Sequence, residues 1–195
     1  DWRRGVDPQQ VEDRLRADVE NKIKAVCIVH NETSTGSTSR VNEVRLAMNN
    51  AGHDALLLAD TISSLASIDF RHDEWGVDVT VAGSQKGLML PPGLSFNAVS
   101  EKALAVASRG GMRRSYWDWE EQIEANRSDS FPYTPATNLL YGLKEAIKML
   151  HEEGLDKVFK RHNRHAKATR LAVQAWGLEV LCKEERDYSS VVTAV

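Results

Sequence analysis

At 195 residues, with 42% hydrophobic and 27% charged side chains, the chain has the make-up of a globular domain that buries a real core. Its 25 basic and 28 acidic side chains leave a formal net charge of −3. No basic excess exists to draw it onto a polyphosphate backbone, and no apolar run is long enough to span a membrane, so neither nucleic acid nor a bilayer is expected as a partner.

From Asp7-Pro8 onward, Val11, Leu15 and Val19 recur at helical spacing with charges between them. Ala25 to Val29 is apolar, long enough for a buried strand and too short for a helix. Its Cys27 reads as a small buried hydrophobe, and with Cys182 it forms no metal or redox spacing. A polar loop, His30 to Ser39, follows, and then a helix from about Val41 to Asn50 that Gly52 ends. Ala55 to Ala59 is a second apolar strand closing on Asp60. Val77 to Ala82 is a third, closing on Gly83-Ser84-Gln85-Lys86-Gly87.

Strand, helix, strand, loop, strand is the rhythm of an α/β domain with a largely parallel sheet covered on both faces. Ligands of such sheets bind beyond the carboxyl ends of the strands, where the His30 loop, Asp60 and the Lys86 loop converge. The second half predicts helices over Asn138–Glu153 and Leu155–Trp176, each stopped by a glycine, and strands over Leu178–Leu181 and Ser189–Val195. A domain boundary is placed near Glu152, giving residues 1–152 and 153–195. The first residue is Asp1, and the last strand reads as cut short, so a longer parent polypeptide is expected.

Lys86 is the sharpest chemical signal. Glycines on both sides suit a lysine that a bulky ligand approaches closely, although a solvated loop lysine has the same look. A partly desolvated lysine with a lowered pKa can condense with an aldehyde. Asp60 caps a turn after a strand, or pairs with a protonated ring nitrogen. Glu32 to Thr38 lacks the glycine and lysine of a nucleotide-phosphate loop, and no dinucleotide fingerprint occurs. His162 and His165 stand three apart among Lys160, Arg161, Arg164 and Lys167, which reads as a solvated basic face rather than a metal site. His30 reads equally well as a site residue or as a hydrogen-bonded structural histidine. Trp2, Trp75 and Trp176 read as packing anchors.

The strings His30-Asn31-Glu32-Thr33-Ser34-Thr35-Gly36, Asp73-Glu74-Trp75-Gly76-Val77-Asp78-Val79, Gly83-Ser84-Gln85-Lys86-Gly87 and Leu90-Pro91-Pro92-Gly93-Leu94 resemble class V aminotransferases. Within that class the likeness is to serine–glyoxylate and alanine–glyoxylate aminotransferases. The resemblance implies an aspartate-aminotransferase-like (fold type I) large domain over 1–152 and the start of a small α+β domain over 153–195. It implies pyridoxal phosphate as cofactor, Lys86 as the lysine that bonds it, and Asp60 as the partner of the pyridine nitrogen. Thr33 and Gln85 match further cofactor contacts. Thr134, in Tyr133-Thr134-Pro135, matches a residue that reaches the partner subunit's cofactor phosphate. The reaction implied is transfer of an amino group from serine or alanine to glyoxylate, in a homodimer, in the cytoplasm or, in a eukaryote, the peroxisome. A desulfurase or lyase of the same class, and a fragment that folds without binding cofactor, are the rival expectations.

Overall fold

The structure is a computed structural model describing residues 1–195. Helix α1 (Pro8–Arg16) starts where expected. Asp7 accepts the Gln9 amide at 3.0 Å, and Pro8 fills the first helical position, where an amide would have had no partner. Strand β1 (Ala25–Val29) leads into a minute hairpin, β2 (Asn31–Glu32) and β3 (Ser37–Thr38). Helix α2 (Val41–Ala51) ends on Gly52 at φ 65°, a left-handed turn that glycine enters without strain. Strands β4 (Leu56–Asp60) and β5 (Val79–Gly83) follow, and then β6 (Ser95–Val99). The sheet runs β1-β4-β5-β6, parallel except for its last pair.

The main core lies on one face of this sheet. Val41, Val44 and Met48 of α2 and Leu15 of α1 pack onto Ile28, Leu57, Ala59 and Val77. Burying each such side chain contributes about 1.5–3 kcal/mol. A buried polar brace sits at the foot of β5. Asp78 accepts the Leu57 amide (2.8 Å), an Arg45 guanidinium N–H (2.6 Å) and the Ser100 hydroxyl (3.0 Å). Burial alone would raise its pKa, but these bonds outweigh it and hold the carboxyl below its ordinary value.

The opposite face of β1 is open, contrary to the expectation of a sheet covered on both sides. Cys27 and Val29 are exposed there, so Cys27 is not the buried hydrophobe its apolar neighbours suggested. Alternation along a strand turns them away from the face that α2 covers. Trp75 packs against the main core, whereas Trp2 and Trp176 are exposed and anchor nothing.

Helix α3 (Glu101–Ala107) is capped by Ser100, and α4 (Trp119–Arg127) by Asp118; α4 buries no side chain. Helices α5 (Thr137–Glu153) and α6 (Leu155–Ala175) meet at Gly154, φ 83°. They enclose a second cluster, Leu88, Leu150 and Val158, beneath the Lys86 loop. The strands expected over Leu178–Leu181 and Ser189–Val195 do not form. A ladder needs a neighbour along its length, and these runs share one backbone bond, Leu181 N–H to Ala194 C=O (2.9 Å). No helix is long and apolar enough to cross a membrane.

Candidate active site

The three parallel strands pair in register, with β5 running on past the other two to Gly83. Val29 pairs with Asp60, and Asp60 with Val81, so Asp60 closes the strand between the other two. Its Oδ1 accepts the Ile62 amide at 2.8 Å, which orients the half-buried carboxylate. Thr61 ties the next turn to β5, its amide and hydroxyl both reaching the Val81 carbonyl at 2.9 Å.

His30 stands behind this rim. It is 3% exposed, its Nδ1 lies 2.9 Å from Ser64 Oγ, and its ring packs on Phe70 and Trp75 with centroids 5.3 and 6.2 Å away. Burial drives its pKa down to about 4, against a smaller upward pull from Asp69. The structural reading of His30 therefore prevails. A histidine kept neutral in the fold but free to protonate when unfolded stabilises fully above the unfolded pKa of 6.5. That stability is lost as pH falls from 6.5 towards 4, by up to about 3 kcal/mol. Urea unfolding at pH 7.5 and 4.5 should show this acid limb, and His30→Gln should flatten it. Equal slopes for the two proteins would refute the assignment.

The hairpin tip is held from within. Glu32 accepts the amide (2.8 Å) and hydroxyl (2.6 Å) of Ser34, and Gly36 takes φ 66°, leaving Thr33 exposed. The Lys86 loop is stapled by Ser84, which is fully buried. The Ser84 hydroxyl donates to the Pro91 carbonyl (2.7 Å) and accepts the Leu94 amide (3.2 Å), while its own carbonyl accepts from Leu90 N–H (3.1 Å). Gly87 is needed for a reason other than ligand approach. A Cβ there would lie 2.1 Å from the Leu65 carbonyl oxygen and 2.5 Å from Ser67 Oγ. Lys86 itself is exposed, not desolvated.

Beyond the strand ends lies a cleft of about 330 Å³. Thr33, Ser63, Ser67 and Lys86 line one side, with Arg161 and His162 of α6 and Val191 and Val192 completing it. Its lining holds the Lys86 ammonium, three hydroxyls and no carboxylate, and the Arg161 charge is already matched by Glu153, so Lys86 is the group that favours an anionic ligand. Of the five residues singled out from sequence, Thr33 and Lys86 line this cleft. Asp60, Gln85 and Thr134 do not. Gln85 is exposed and folds its amide over Gly83, and Thr134 is exposed in the segment before α5. His162 is half-buried at the cleft instead of on a solvated face. The signal was its place on the α6 stripe, four residues after Val158 and four before Ala166, both buried.

Comparisons with known proteins identify the family and the fold. The family model described as Aminotransferase class-V matches residues 5–195. Serine–glyoxylate aminotransferase of Methylorubrum extorquens is 50% identical over 100% of this chain and 50% of its own length. L-aspartate–glyoxylate aminotransferase of Paracoccus denitrificans is 42% identical over 100% of this chain and 49% of its own length. Among solved structures, pyridoxamine–pyruvate aminotransferase from Mesorhizobium loti superposes with a TM-score of 0.89 at 30% identity, over 97% of this chain and 48% of that one. The chain thus spans about half the length of the curated relatives it matches, and its α/β fold is that of fold type I aminotransferases, whose families use pyridoxal phosphate in general. With a lysine loop and an aspartate at the carboxyl ends of adjacent parallel strands, and this match along nearly its whole length, the chain belongs to the class-V aminotransferase family.

Proposed function

We propose that this chain supplies the lysine-bearing part of a pyridoxal-phosphate-dependent aminotransferase that converts glyoxylate to glycine, with serine or alanine as amino donor. The observation that carries the reading is the placement of Lys86 and Thr33 on one carboxylate-free cleft, with Asp60 ending the neighbouring strand. The names of relatives 45–50% identical favour serine as donor, and one at 42% names aspartate. Neither cysteine lines the cleft, which speaks against a desulfurase.

The side chains present suit the cofactor: a primary amine, hydroxyls, and a carboxylate at the sheet rim with one oxygen already fixed by an amide. Pyridoxal phosphate, when bound, supplies an aldehyde that condenses with amines and a ring that accepts electrons from a deprotonated α-carbon. With the cofactor bound, Lys86 Nζ would be the amine that holds its aldehyde and, when free, the base that moves the proton of the donor α-carbon. Asp60 would keep a proton on the ring nitrogen, Thr33 would hold the ring's edge, and Gln85 would join it on turning its amide away from Gly83.

In this reading residues 1–152 form the large domain and 153–195 begin a small one, and the working protein is a homodimer. The arm before α5 supports a subunit contact: exposed Tyr116 packs against both Trp117, 82% exposed, and Tyr133, Phe131 is exposed too, and Thr134 would meet the partner's cofactor phosphate. A cytoplasmic setting, or a peroxisomal one in a eukaryote, goes with that chemistry. Expression with pyridoxal phosphate, borohydride reduction and peptide mapping should put a pyridoxyl adduct on Lys86. An adduct elsewhere, or none, would defeat the proposal. Glycine formation from glyoxylate with serine, alanine and aspartate then ranks the donors.

A further inference from the structure

We propose that His162 is a specificity-determining residue that hydrogen-bonds the side-chain hydroxyl of the amino donor. The inference rests on the transaminase reading above and names what that reading leaves open, the group that tells serine from alanine.

Position comes first. His162 lies on α6, across the cleft from the loops that carry Lys86 and Thr33, in a space of about 330 Å³. That is the scale of a small amino acid beside a ring, so a group on this wall can meet the donor's side chain. The wall is held firmly. Val158 and Ala166, one turn to either side, are buried at 1% and 7% exposure. Arg161 reaches back across the Gly154 turn and grips Glu153 through two bonds, Nε at 2.7 Å and Nη2 at 2.8 Å. A residue fixed to this degree can discriminate, because its partner cannot be replaced by a shift of the helix.

Chemistry decides what it discriminates. The Arg161 charge is matched by the Glu153 carboxylate, so the wall offers no bare cation to a second carboxylate. What remains is an imidazole that no side chain of the protein hydrogen-bonds. Burial, with Arg161 and His165 nearby and against the opposing pull of Glu153, keeps it below the ordinary histidine value and so neutral at pH 7. A neutral imidazole has one donor and one acceptor nitrogen, which is the complement of a hydroxyl. The rest of this side of the cleft, Leu150, Val158, Val191 and Val192, is apolar. A donor ending in a methyl would therefore leave the imidazole facing hydrocarbon, and a site built to bond a hydroxyl rejects the analogue that lacks it.

The test uses the pyridoxal-phosphate-loaded protein and two non-turning ligands, α-methylserine and α-methylalanine, which have no α-hydrogen to lose. Binding is read by titrating the cofactor absorbance. Wild type should bind α-methylserine roughly tenfold more tightly than α-methylalanine. His162→Leu should bring that ratio to about one with the α-methylalanine affinity changed less than about twofold, and His162→Gln should restore part of the preference. A wild-type ratio near one, a ratio unchanged in His162→Leu, or equal weakening of both ligands would overturn the proposal. Borohydride labelling of Lys86 in each protein separates two failures. Labelled protein with no hydroxyl preference removes only the role of His162; wild type that does not label removes the transaminase reading, and this inference with it.

Discussion

Lys86→Ala is expected to end turnover, lowering kcat by at least about 10³-fold, with little change in stability. The two halves of that expectation have separate causes. Positioned proton transfer is worth about 10²–10⁴-fold, and Lys86 is proposed to carry both that transfer and the hold on the cofactor aldehyde. Stability should survive because the ammonium is exposed and no side-chain bond ties it down. Substitutions at such positions stay within about 0.5 kcal/mol. The loop's shape comes from Ser84 and its bonds to Leu90, Pro91 and Leu94, none of which involves the Lys86 side chain. Urea midpoints of the two proteins should therefore coincide while single-turnover rates part. A small primary amine added to the solution should recover part of the variant's rate, since a free base can reach an exposed site. Near-normal transamination without any added amine would refute the role given to Lys86. A lost urea transition would instead make the lysine a structural residue.

Much of the sheet was written in short apolar runs bounded by polar residues. Ala25–Val29 is found as expected, and the next two strands lie one or two residues from their expected bounds. Asp60 and Lys86 were legible for the same reason, as the polar residues on which such runs close. Strand β6 was hidden because Ser95 and Asn97 face solvent on an edge and Pro91-Pro92 precede it, so neither apolar continuity nor strict alternation marks it. Helix α4 buries nothing and so carries no stripe to read. The misreadings have one cause in common: sequence shows which residues are apolar or basic, not what lies against them. Cys27 looked buried among valines, yet its face of β1 is open. His162 looked solvated among basic neighbours, yet its own turn of α6 faces the cleft. The glycines around Lys86 suggested room for a ligand, and at Gly87 that room is taken by the backbone of residue 65.

That last contact gives the second large effect. Gly87→Ala should destabilise the protein by about 3 kcal/mol and abolish labelling of Lys86 by the cofactor. A new Cβ would lie 2.1 Å from the Leu65 carbonyl oxygen, 2.5 Å from Ser67 Oγ and 3.2 Å from the Leu65 carbonyl carbon. A hydroxyl can rotate away, but the Leu65 peptide cannot. Its amide bonds the Thr61 carbonyl at 2.9 Å, within a turn that Ser64, Ser67 and Ile68 close with bonds of 2.9–3.0 Å. The same turn is locked to β5 through Thr61 and the Val81 carbonyl. The strain must then fall on residues 84–90, moving Lys86, and a misplacement of about 1 Å at a reacting group costs roughly 10²-fold. Gly52→Ala is the matching control. It meets nothing within 4 Å and sits at φ 65°, so it bears only the left-handed backbone penalty of roughly 1–2 kcal/mol, far from the cleft. It should lower the urea midpoint and leave Lys86 labelling intact. If Gly87→Ala labels as well as Gly52→Ala, the loop has slack, and the close packing of Gly87 onto the turn after Asp60 is not what fixes the lysine in place.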